Sequence, residues 1–489
     1  MASDDKDNDK SAYRKWFDDP YMFNIPDATY DDLPELIGSL KRAAIDAYVR
    51  NKLAPPPAFF TLAEDHYLIT VNSGAGGGST TRITRPNSDG EGGGKASTIT
   101  TNFGQTQCDD GDFTSEFESV REEIKKILEP WIDLPKPERI NEEMDDCRRI
   151  VSLLAEKASV QGVKIVPSGK IHTKIKSIYD NLTQMGGATI ETFKSNIVEN
   201  LDGIVGNLSV ATTFWGATLG SEYGAFKKAR ESVVSAVKQG IETFNAIANN
   251  TSGKMKIALK IAEFAVDGFK IFSVGTKVVG AALDSIGLGL KAIDNLKDAK
   301  STTKTSNTYD EGVSSLISFF NEINKSLYNT ENAIQRNLID NYGKMQEEKE
   351  SYDLELKALK SSEIKTSEDK LYINESKVNS ILHNAKPSIT KQLELAKGRF
   401  LSVDITPVIR RNSMVGIGAT GFSVAFHHFK WLLHDLVGRL TEEIDNSFKN
   451  FELAIEYIKT EDYKAKSELD NMGNTIDNHK GPDPWQDRD

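Results

Sequence analysis

Two long helical patterns flank a Trp-Gly pair, and this arrangement constrains the fold more than anything else in the chain. On the near side apolar residues fall at Ile171, Ile175, Ile178, Leu182 and Met185, then at Phe193, Ile197, Leu201, Ile204 and Leu208. On the far side they fall at Leu219, Tyr223, Phe226, Val233, Val237, Ile241 and Phe244. Steps of three and four residues place each set on one buried helical stripe. Between them Thr213-Phe214-Trp215-Gly216-Ala217 reads as a short break. The sequence therefore predicts an antiparallel helical hairpin with Trp215 and Gly216 at its turn. Such a hairpin packs and presents surfaces; it carries no chemistry of its own.

At 489 residues the chain is expected to form roughly two to four packed units. Its formal net charge of -12 argues against a basic face for nucleic acid. Cys108 and Cys147 have no CxxC spacing; they read as two unrelated thiols, with a single disulfide as the alternative in an oxidising compartment. The opening Met1-Ala2-Ser3-Asp4-Asp5-Lys6 is polar and acidic and lacks the apolar core of a secretory signal peptide. The expectation is either a cytoplasmic protein or one secreted to the medium or cell surface by a route that reads no such peptide.

The patterning divides the chain into a lead and helix (1–57), a Gly-rich small β insertion (58–112), and a helical region with the Trp-Gly hairpin and an apolar helix pair (113–299). A linker with a helical segment (300–373), a C-terminal helical hairpin (374–472) and a polar tail (473–489) follow. His66 to Val71, Thr80 to Thr84 and Ser97 to Thr101 are the predicted strands. The expected fold class is mainly α: long antiparallel helical hairpins or a bundle, with a small N-terminal β insertion.

No motif points to catalysis. Gly92-Gly93-Gly94-Lys95 is followed by Ala96 where a phosphate-binding loop needs a hydroxyl, and by a strand where it needs a helix. His427 and His434 stand seven apart, without the close pair and further ligands of a zinc site. HExxH and GxSxG are absent from the sequence. The expectation is a binding protein, not an enzyme, with no cofactor and no metal.

In 256–291, Lys256, Lys260, Glu263, Asp267 and Lys270 draw a polar stripe through otherwise apolar sequence. The stretch never offers the roughly 18 nearly uncharged residues of a membrane span. It reads as a buried core helix pair, with membrane contact as the functional alternative. Further on, Leu436, Leu440, Ile444, Phe448, Phe451, Ile455 and Ile458 form a continuous helical stripe. At its end Tyr457 and Glu461, four apart, share one helix face.

Together, residues 171–248 with Trp215 and Gly216, and residues 400–472 with Tyr457 and Glu461, resemble substrates of the type VII (ESX-type) secretion system, the WXG helical-hairpin superfamily. The family turn is Trp-x-Gly, whereas Trp215 and Gly216 are adjacent. The resemblance implies export in an actinobacterium-like host, with Tyr457 and Glu461 as the export signal. It also implies a helical protein partner or a secretion ATPase; exposed stripes on long hairpins invite coiled-coil self-association. The alternatives are a helical pore-forming toxin-like protein using 256–291 for membrane entry, and a cytosolic helical scaffold.

Overall fold

The Trp-Gly pair makes no turn. In the computed structural model, which describes residues 28–74, 77–102, 105–161, 164–275, 301–354 and 372–478, it lies inside one unbroken helix, Glu199–Ala248. The physical reason is burial: every residue from Leu208 to Glu222 is buried, so these four turns are enclosed on all sides and show no polar face to mark the helix. A glycine in such a helix costs about 1 kcal/mol relative to alanine, and close packing offsets it. The hydroxyls inside the run bond back to their own helix: Thr212 donates to the Leu208 carbonyl at 2.7 Å and Thr213 to that of Ser209 at 2.9 Å.

Ahead of this helix come α1 (Leu33–Tyr48), strands β1 (Phe59–Leu62), β2 (His66–Gly74), β3 (Gly77–Thr84), β4 (Lys95–Asn102) and β5 (Gln105–Asp112), then α2 (Thr114–Leu128) and α3 (Pro137–Leu154). A ribbon of β6 (Lys157–Gln161) and β7 (Lys164–Ser168) leads to α4 (Lys170–Leu182) and α5 (Ala188–Phe193). The long helix is α6. After it stand β8 (Gly253–Ile257), α7 (Ile261–Gly275), β9 (Thr302–Ser306) and α8 (Tyr309–Glu347). The chain closes with α9 (Glu375–Ser380), α10 (Lys386–Phe400) and α11 (Ser423–Asn478).

The expected small β insertion is corrected too. Strands β1 to β5 form one antiparallel sheet in sequential order, and its inner face belongs to the main core. Tyr67, Ile83 and Ala96 lie in one row across three strands and all are buried. Tyr67 meets Phe117 of α2 edge-on at 6.3 Å and donates to Asp46 of α1 at 2.7 Å. Arg85 pairs with the same carboxylate at 2.5 Å. The opposite face runs through Phe59, Thr70, Thr80, Ile99 and Cys108, and Phe59 and Ile99 are exposed. The fold is therefore mainly α with a substantial sheet built into it, not a stack of hairpins carrying an appendage.

Met255 and Lys256, expected to begin an apolar helix pair, belong to strand β8; only α7 is described of that pair, and residues 276–300 lie outside the described residues. Residues 1–27 of the lead and the tail beyond Asn478 also lie outside them.

Trp215 joins α6 to the C-terminal helices. Its indole is fully buried, stacks on Phe426 at 4.6 Å and donates from Nε1 to the Phe426 carbonyl at 3.1 Å. Phe400 of α10 closes the other side at 5.6 Å. Trp215→Ala should lower stability by about 3–5 kcal/mol, read as a shift of the denaturant midpoint. A midpoint unchanged within error would contradict this packing.

Candidate functional site

The site grows from two opposite faces of α6. Gly216, Gly220 and Gly224 recur every four residues and so line one face. Against them α7 runs antiparallel, and backbone meets backbone. A methyl on Gly220 would overlap the Gly268 carbonyl, one on Gly268 the Gly220 carbonyl, and one on Gly224 the Phe264 carbonyl. A methyl on Gly216 would strike the Phe272 ring. Helix α7 buries Ile261, Ala262, Ala265, Phe269 and Phe272 and exposes Glu263, Asp267 and Lys270, so the charged stripe faces outward. Lys228 caps the end of this contact, its ammonium 5.0 Å from the Phe264 ring centroid. At the base, β8 and β9 pair from Gly253 with Ser306 to Ile257 with Thr302, tying together both ends of the stretch that contains α7.

Glu222 lies two residues from Gly220 and two from Gly224, about 200° round the helix and so on the far face. Its carboxyl is fully buried and neither oxygen has a conventional hydrogen-bond donor. Two other fully buried charges stand beside it. Arg411, in the loop between α10 and α11, bonds Glu331 of α8 through Nη2 and approaches Glu222 at 3.8 Å through Nη1. The Arg411 guanidinium also sits 5.0 Å from the Phe226 ring centroid. Glu331 takes a further bond from the Ile417 amide at 2.9 Å, and Asn324 of α8 accepts from the Gly416 amide at 2.8 Å. Gly416 has φ +62, and a side chain there would run into the Glu331 carboxylate, so a glycine is required.

One guanidinium cannot neutralise two buried carboxylates. Glu331 has the strong partners. Glu222 therefore keeps its proton: burial, then the Glu331 charge, push its carboxyl well above the ordinary range. A protonated Glu222 can donate to Glu331, which removes the buried net charge.

The residues singled out in the sequence do not converge on this centre. Trp215 and Gly216 are core contacts of α6. Tyr457 is 69% exposed and Glu461 is exposed as well. Both sit inside α11, which runs on to Asn478, and not at a helix end. His427 is bonded through one ring nitrogen to both Thr406 at 3.0 Å and Asp404 at 3.3 Å, so the three groups form no proton relay. His434 lies beside Asp435 and Trp431. Cys108 is exposed, Cys147 is buried, and both are free. Among the described residues no group of three or more His, Cys, Asp and Glu could hold a metal ion. Lys95 opens β4 and pairs with Asp112 at 2.5 Å in place of cradling a phosphate.

Sequence reasoning passed over Glu222, Glu331 and Arg411. Only Glu222 left a signal: it ends a run, 203–221, that holds no charged residue. The repeat Gly216, Gly220, Gly224 was the second signal, obscured by reading Gly216 as a turn.

Comparison with known proteins returns no match: no family model, curated protein or solved structure is similar to this chain at a significant level. No relative lends it a function, and its own residues must supply one.

Arg411→Met removes the one cation from the centre and leaves Glu331 buried without its main partner. The expected loss is about 3–5 kcal/mol, measured by chemical denaturation at neutral pH. A loss below about 1 kcal/mol would mean that water reaches the carboxylates.

Proposed function

We propose that this chain acts by binding, through contact of α7 with a lipid surface. The supporting observation is the way α7 is docked: an apolar helix laid on glycine backbone, with its charges outward and both ends of its stretch tied by β8 and β9. Among the described residues no helix is long and apolar enough to cross a membrane. The exposed stripe of Glu263, Asp267 and Lys270 makes the mode interfacial, with the apolar face in lipid and the stripe in water.

The test is flotation with phosphatidylcholine vesicles. Gly268→Val, which forces α7 off α6, should raise the lipid-bound fraction several-fold over the parent protein, with new protease cleavage within 258–275 reporting the displacement. Cleavage without flotation would overturn the reading.

A second reading, export by a type VII system, draws on the exposed Tyr457 and Glu461 of α11. It no longer has a Trp-Gly turn to support it. Tyr457→Ala with Glu461→Ala should shift stability by about 0.5 kcal/mol or less and trap the protein inside its host. Normal extracellular levels of the folded double variant would exclude this reading.

A further inference from the structure

We propose that Glu222, Glu331 and Arg411 form a proton-held lock that seats the loop between α10 and α11 on α6 and α8, and that alkaline pH opens it. This goes beyond the lipid reading and does not depend on it.

The groups come from three separate pieces of chain, and all three side chains are fully buried. Helix α8 contributes Glu331 and the loop contributes Arg411. Helix α6 itself contributes the Phe226 ring, which lies under the guanidinium. The charges of α7, on the opposite side of α6, point to solvent. No described cation other than Arg411 faces the two carboxylates. With one proton on the pair the centre is neutral; without it the core holds one uncompensated negative charge.

The sign follows from proton counting. Above the ordinary Glu range of about 4.3 the unfolded chain has lost this proton while the folded chain keeps it. Stability from the lock is therefore fully present below about pH 4.3 and falls as pH rises above it, about tenfold in the folding constant per pH unit. The fall ends once the proton leaves the folded form too. Acid does not open this lock; base does. The chain relieves the charge by unseating the loop, because Arg411 and the Gly416 and Ile417 amides all leave Glu331 and Asn324 together.

Hydrogen exchange on the full chain tests this between about pH 6 and about pH 10. After correction for the intrinsic exchange rate, protection of the Gly416 and Ile417 amides should fall with pH in the parent protein. In Glu222→Gln, which donates a hydrogen bond without titrating, protection should stay level. Infrared spectroscopy gives an independent readout, needing no variant: a protonated-carboxyl band at neutral pH that persists while the amide protection falls and disappears where that fall ends. A flat pH profile in the parent protein, the same slope in Glu222→Gln, or the lack of that band would each overturn the lock.

Discussion

Enclosure of α6 is the constraint on which the other elements depend. A helix surrounded for four turns must satisfy each neighbour at a different distance, and its side chains set those distances. Where α7 approaches, glycine lets backbones touch. Where α10 and α11 approach, Trp215 fills a wide gap between Phe400 and Phe426. Where α1 and α3 approach, Leu40 lies over Gly240 and Cys147 lies near Gly216. A change of volume on any one face is transmitted through a rigid rod to the rest, because close-packed interiors deform little.

The buried charge centre works against this economy of packing. Replacing a buried ion cluster with apolar residues of equal volume is often neutral or stabilising, so the three groups are not there for stability alone. What they do is specify. The loop between α10 and α11 anchors Val403, Ile405, Ile409 and Val415 in the core, but its Gly416–Gly421 segment buries no side chain fully and could settle in many ways on an apolar surface. A guanidinium that must find two carboxylates on two different helices selects one. The positive φ values at Gly416, Gly418 and Gly421 let the backbone take the tight path this demands.

Legibility in the sequence followed exposure. Helix α11 has one wet side, so its stripe at Leu440, Ile444, Phe448, Phe451 and Ile455 could be read, and all five residues are buried. Helix α8 was legible for the same reason. The strands β2, β3 and β4 could be placed because their β-branched residues lie close to turn glycines. Strand β5, Gln-Thr-Gln-Cys-Asp-Asp-Gly-Asp, has no apolar alternation, and it is held to β4 by the backbone ladder and the Lys95–Asp112 ion pair. Only the middle of α6, residues 208–222, failed for the opposite reason, having no wet side to supply a period. The charge centre was illegible because its members lie far apart in the chain and only the tertiary fold brings them together.

Strand pairing at β8 and β9 has a consequence for how this chain can vary. The two strands hold residues 257 and 302 at the spacing of neighbouring strands, about 4.8 Å, whatever lies between them. The end of α6 and the start of α8 are thus positioned by the ribbon and not by the length of the intervening sequence. Change of length is therefore tolerated only between α7 and β9, where the ribbon sets the spacing; α7 itself must stay, because it covers the glycine face of α6.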